Sequence, residues 1–233
     1  MNKEIFINEL KKININITEK QLKDLEIYYN LLVEENKKYN LTAITQKEEV
    51  YLKHFYDSLT IYKSIKIDNQ YICDIGSGAG FPGLVLKIVF PNIKIDLIDA
   101  TLKKCNFIKL VTEKLKLKNV TIINDRIENY SKTNREKYDI VTSRAVAPLK
   151  HLLEYAIPLL KVNGIFIALK SELTEELKNI DNYYQKLYLT NENIFKFKLP
   201  IENSNRTIYK IEKYKKTEII YPRKYNQIKN KDI

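Results

Sequence analysis

A chain of 233 residues with 44% hydrophobic content is long enough for one α/β domain and a modest appendage. No apolar run reaches the roughly 18–20 residues that span a bilayer, and residues 1–12 lack a signal-peptide core, so the expected compartment is the cytoplasm. A formal charge of +11 favours a polyanionic partner, although the crowding of Lys, Asn and Ile also fits a compositional bias.

Cys73 and Cys105 have no metal-ligand spacing, and His54 and His151 are the only histidines, so no metal site is expected. Residues 1–67 read as a helical extension. Thr18 and Gln21 form a capping box, and Leu22, Leu25, Tyr29, Leu32 and Val33 recur at helical spacing. A second helix carries Val50, His54, Asp57, Leu59 and Ile61.

From Tyr71 short apolar runs alternate with amphipathic stretches. Strands are expected at Tyr71–Ile75, Ile93–Ile98, Val120–Ile123, Tyr138–Thr142 and Ile165–Leu169, with helices between them. Such alternation indicates right-handed βαβ units and a parallel sheet covered on both faces. Ile194–Leu199 and Thr207–Tyr214 alternate apolar and polar residues and predict an antiparallel pair closing one edge. The expected fold is therefore α/β: a Rossmann-like sheet of class I methyltransferase type, seven-stranded, mostly parallel, its last strand antiparallel. Residues 68–222 would form this domain, and residues 223–233 a basic C-terminal tail.

Four of the five glycines, Gly76, Gly78, Gly80 and Gly83, fall in one window after the first strand and before a helix. There a missing Cβ lets the backbone turn sharply and approach a ligand, and the helix start adds free N–H donors. The loop also satisfies the dinucleotide pattern G-x-G-x-x-G, and Asp99 after the second strand could hold ribose hydroxyls in either enzyme class. Three details favour S-adenosyl-L-methionine. Asp74 precedes the loop as D-x-G-x-G-x-G, where its carboxylate can help fix an ammonium group. The loop follows a helical segment instead of opening the chain, and no second substrate domain or hydride-transfer pair is evident.

The chain resembles the bacterial small-subunit rRNA guanine-N7 methyltransferases, the RsmG or GidB family. The resemblance rests on Asn40-Leu-Thr-Ala-Ile44, His54 with Asp57-Ser58-Leu59, and Cys73-Asp-Ile-Gly-Ser-Gly-Ala-Gly-Phe-Pro-Gly83. It continues through Asp125-Arg126 with Glu128, Tyr138 to Ala147, Asn163 to Lys170, and Tyr221-Pro-Arg-Lys224. It implies that Gly76 and Phe81 line the methionine side of the cofactor, with Asp99 near the ribose. Ile127 and Glu128 would border the adenine, and Arg144 would stand where cofactor and substrate meet. The partner it implies is 16S rRNA, in the small ribosomal subunit or its assembly intermediate, with a monomer as the default. The chain departs from the family after Pro-Arg-Lys, where Tyr225-Asn-Gln-Ile-Lys229 replaces a glycine- and proline-containing tail.

Guanine N7 holds an in-plane lone pair, so attack on a sulfonium methyl needs no prior deprotonation. No residue is required as acid or base; the task is alignment and desolvation. Arg144 is the positioning candidate, toward the guanine, a flanking phosphate or the cofactor carboxylate. His54, Asp57 and Ser58 are either a buried polar network or a wall of the guanine pocket. Lys37, Lys38, Lys53, Arg223 and Lys224 are candidate RNA contacts. Two rivals remain: a nicotinamide-dependent oxidoreductase, and an rRNA-binding assembly factor without turnover.

Overall fold

The computed structural model describes residues 1–190 and 192–233. Helices α1 (Lys3–Lys12) and α2 (Glu19–Tyr39) open the chain. The capping box forms: the Gln21 amide donates to Thr18 Oγ1 at 3.2 Å, and the Thr18 amide donates to Gln21 Oε1 at 2.8 Å. Two donors that a helix start leaves free are thereby satisfied. One stripe of α2, Leu22, Leu25, Tyr28 and Leu32, is buried, and the helix stops at Asn40, whose φ of +50° is left-handed. Short helices α3 (Lys47–Glu49) and α4 (Asp57–Leu59) flank a π-helical segment, Val50–Tyr56, which carries His54.

Strands β1 (Tyr71–Ile75), β2 (Lys94–Asp99), β3 (Val120–Asn124), β4 (Tyr138–Arg144), β5 (Leu160–Lys170), β6 (Asn193–Lys198) and β7 (Asn205–Glu212) form one sheet. Its order is β3-β2-β1-β4-β5-β7-β6. The first five pair in parallel, whereas β7 runs antiparallel to both β5 and β6. The expected seven strands and antiparallel last strand are present, with β7 inserted between its neighbours. Between the strands and after them lie α5 (Gly83–Val89), α6 (Leu102–Lys114), α7 (Ile127–Thr133), α8 (Leu149–Ala156), α9 (Asp181–Leu187) and α10 (Tyr225–Asn230).

Strand alternation divides the core between the two faces of the sheet. Ile72 and Ile140 join a cluster with α2, α5 and α6, while Cys73, Ile75 and Val141 join one with α8 and α9. The N-terminal helices belong to the first cluster: Phe6, Leu25, Tyr28 and Phe55 are fully buried there. The segment up to Ile67 thus packs as a layer of the domain.

The stretch read as a basic tail is an ordered one. Ile228 is 2% exposed, and Arg223 lies on the fully buried carboxylate of Glu154, with Nε to Oε2 at 2.9 Å. A buried carboxylate requires such a partner, and this draws the chain end onto α8.

Candidate active site

Open α/β sheets bind ligands beyond the carboxyl ends of their strands, where the strand order reverses. Here that place lies between β1 and β4, and the glycine turn leaves β1 there. Gly76 has φ +69°, and a Cβ on it would lie 2.4 Å from Val146 Cγ2. Gly83 starts α5 so close to β2 that a Cβ would lie 2.2 Å from Leu97 Cδ2. The turn is held from both sides. Tyr28 of α2 donates its hydroxyl to the Ala79 carbonyl at 2.5 Å, and the Gly78 amide donates to Asp99 Oδ2 at 2.9 Å.

Asp74 is fully buried beneath the turn. Its Oδ2 accepts from the Gly83 amide at 2.9 Å, and its Oδ1 has no partner among the described residues. Burial pushes this carboxyl up to about 7, against the pull of the Gly83 amide and the Arg144 charge. A buried carboxylate oxygen without a donor is a place for a ligand's N–H groups.

A cleft of about 480 Å³ opens beside the turn, lined by Gly76, Asp99, Ile127, Glu128, Val146 and Tyr155 among others. The structure thus brings together four of the expected cofactor residues. Asp99 also accepts from the Thr101 amide at 2.8 Å, which fixes its carboxylate at the rim. Gly78, Asp74, Phe81 and Arg144 are not in the cleft wall. Phe81 is 6% exposed and lies between Tyr28 and His54, its ring stacked on both.

A second cavity, of about 360 Å³, includes His54, Asp57, Arg144, Ala145, Lys170 and Arg206 in its lining. Arg144 ends β4, and its guanidinium sits 5.2 Å from the Phe81 ring centroid. Nη1 donates to the Lys53 carbonyl at 2.9 Å and to Asp57 Oδ2 at 3.3 Å, while Nη2 lies 3.1 Å from His54 Nδ1. Asp57 also binds Arg206 Nε at 3.1 Å through its other oxygen. Burial, and then the Arg144 charge, lower His54 to about 3, so its ring is neutral near pH 7. A guanidinium only donates, which makes Nδ1 the acceptor and places the ring proton on Nε2, 3.0 Å from Thr42 Oγ1. Ser58 Oγ donates to the His54 carbonyl at 2.6 Å. His54, Asp57 and Ser58 therefore form a polar network that also borders a cavity.

The two cavities meet at one loop. Ala145 lines the second and Val146 the first, and Ala145 has φ +55°, a left-handed conformation costing about 1–2 kcal/mol for a residue with a Cβ. The basic candidates elsewhere are less free than their sequence suggests. Lys38 pairs with Glu35, Lys53 with Glu49 and Glu202, and Arg223 with Glu154. Lys224 is exposed at the start of α10, its amide donating to Gln227 Oε1. The spacing argument missed Val146, Tyr155, Tyr225, Lys170 and Arg206. Val146, inside Ser-Arg-Ala-Val-Ala, and Lys170, at the end of the Asn163 to Lys170 match, carried a sequence signal.

The sheet order, the glycine turn that only a missing Cβ permits at Gly76, the free Asp74 oxygen and Asp99 at the rim fit S-adenosyl-L-methionine. Together they define a class I methyltransferase fold with a cleft beside its glycine turn. Solved structures share this fold. The SAM-dependent O-methyltransferase from Thermotoga maritima matches with TM-score 0.55 and 16% identity, covering 80% of this chain and 72% of that one. TYW2 from M. jannaschii, solved in complex with AdoMet, matches with TM-score 0.52 and 16% identity, covering 67% and 76%.

Residues 21–208 match the family described as rRNA small subunit methyltransferase G. The ribosomal RNA small subunit methyltransferase G of Bacillus subtilis is 46% identical over 232 residues, 96% of this chain and 95% of that one. That of Oceanobacillus iheyensis is 47% identical over 228 residues, 96% of each. The chain belongs to the rRNA small subunit methyltransferase G family. The nicotinamide reading falls away: an antiparallel β7 beside β5 is not the all-parallel order of dinucleotide folds.

Proposed function

We propose that this protein transfers a methyl group from S-adenosyl-L-methionine to N7 of a guanosine in 16S rRNA, acting in the cytoplasm on the small subunit or its assembly intermediate. The observation that carries the reading is the meeting of two cavities at the Arg144–Val146 loop, in a chain of this family. The relatives named above act, by their names, on small-subunit ribosomal RNA.

When bound, the cofactor supplies an electrophilic methyl on a positively charged sulfur. Asp74, through its unpartnered Oδ1, would hold the ammonium of the amino-acid end, and Asp99 the ribose. Ile127 and Glu128 border the adenine. On the other side of the loop, Asp57 and His54 fix the Arg144 guanidinium by two contacts from one helical segment. Neutral His54 keeps a second positive charge away from a ring that becomes cationic as N7 is methylated. Arg144 is itself cationic, so its role is to orient the base or a flanking phosphate, not to stabilise the product charge. Alignment and exclusion of water are what the site contributes.

Methyl transfer from labelled cofactor to small-subunit rRNA, followed by borohydride–aniline cleavage, tests this reading. A single cut at one guanosine is expected. Label in the RNA without cleavage would refute N7, and no label at all would leave the assembly-factor reading.

A further inference from the structure

Outside the residues the family motifs account for, the cofactor cleft has a wall made by the end of the chain. Tyr225 and Lys229 of α10 line it together with His151 and Tyr155 of α8. Three tethers hold this segment on α8. Arg223 Nη2 reaches Glu154 Oε1 at 2.5 Å, Lys150 Nζ reaches Asp232 Oδ2 at 2.5 Å, and Ile228 is buried between. Arg223 Nη2 also donates to the Lys231 carbonyl at 2.8 Å, closing the segment on itself. None of these tethers uses Tyr225, which is 46% exposed and free to serve the cleft.

The position of Tyr225 along the cleft is set by its neighbours. Glu128, Tyr155 and Tyr225 line the same cleft. Glu128 lies in the first turn of α7 and, in the cofactor reading proposed above, borders the adenine. We infer that the C-terminal segment 223–233 completes the cofactor site, with Tyr225 supplying an aromatic face to the adenine end. This rests on the reading that the cleft binds S-adenosyl-L-methionine. It assigns the divergent tail to the cofactor and leaves RNA to other surfaces. A purine presents a flat π-face that stacks on an aromatic ring whatever its edge carries.

Calorimetry with S-adenosylhomocysteine and with methylthioadenosine, which lacks the amino-acid end, tests the inference on four proteins. These are the wild type, Tyr225→Phe, Tyr225→Ala, and a chain ending at Lys224. Tyr225→Ala is expected to weaken both ligands by about five- to tenfold, the low end of base–aromatic stacking for a half-exposed ring. Tyr225→Phe should stay within about twofold, and the shortened chain should lose at least as much as Tyr225→Ala. Because Tyr225 holds no tether, the melting temperature of Tyr225→Ala without ligand should match the wild type. Unchanged affinity in Tyr225→Ala overturns the inference, as does a loss confined to S-adenosylhomocysteine. A wild type that binds neither ligand overturns the cofactor reading itself, a result distinct from both.

Discussion

His54 stacks on Phe81 with ring centroids 4.4 Å apart and planes 20° from parallel. A helical segment before the sheet thus touches the glycine turn after β1, and Arg144 packs on the same ring from β4. Three pieces of chain that are distant in sequence converge on one buried phenyl group.

Gly83 is the tightest of the turn glycines, with no room toward Leu97 and a Cβ only 2.7 Å from Asp74 Oδ2. Gly83→Ala must push α5 off β2 and is expected to lose about 2 kcal/mol, a fall of about 4–8 °C in Tm. Thermal melts without ligand measure this. A melt equal to wild type would mean that the helix shifts at no cost.

Asp74 gives the cofactor a pH dependence of definite sign. Its folded pKa, about 7, lies above its unfolded value, so its contribution to stability is present at low pH and lost as pH rises through about 7. A ligand ammonium favours the ionised form and draws the equilibrium the other way. S-adenosylhomocysteine should therefore bind about tenfold more weakly at pH 6 than at pH 8. Asp74→Asn should be weaker at both and flat between them. Calorimetry at the two pH values checks this, and equal wild-type affinities would refute it.

Asp57 stands between Arg144 and Arg206, all three largely shielded, at 3.3 and 3.1 Å. Asp57→Ala removes the carboxylate between the two guanidiniums, leaving Arg206 only Glu202 at 4.0 Å as a counter-charge among the described residues, and should lose about 3 kcal/mol. Arg206→Ala leaves the Asp57–Arg144 pair and should lose about 1 kcal/mol. Urea unfolding ranks the two variants; the reverse order would show that Asp57 does not hold the cluster.

His54 acts oppositely to Asp74. Its folded pKa, about 3, lies below the ordinary histidine value, so the stability it contributes is present above about 6.5 and lost as pH falls toward 3. His54→Gln should remove about 2 kcal/mol of the loss seen between pH 7 and pH 4.5. Urea midpoints at the two pH values measure it, and an unchanged acid response in the variant would place the imidazole in water.

The central strands and the turn were legible because their signals are local. Tyr71–Ile75 is a short apolar run, and in a glycine-poor chain the window Gly76 to Gly83 stands alone. β5 begins at Leu160, ahead of the apolar run at Ile165, because Lys161, Val162 and Asn163 are exposed and hide the pattern. The ordered end of the chain was not legible. One apolar residue, Ile228, and two ion pairs, Arg223 with Glu154 and Asp232 with Lys150, fix it, and no periodicity records pairings across that separation. Arg206 was missed for the same reason: its partner Asp57 lies in another layer.

Phe6, Leu25, Tyr28 and Phe55 share one apolar cluster with Ile72, Leu84 and Leu97, so the first helices complete the cover that α5 and α6 begin on one face of the sheet. Stripped of residues 1–67, the remainder would present part of that face to water and would be a sticky, half-melted remnant, not a minimal catalytic unit. With a buried cluster in common, the first 67 residues and the sheet would be expected to unfold together.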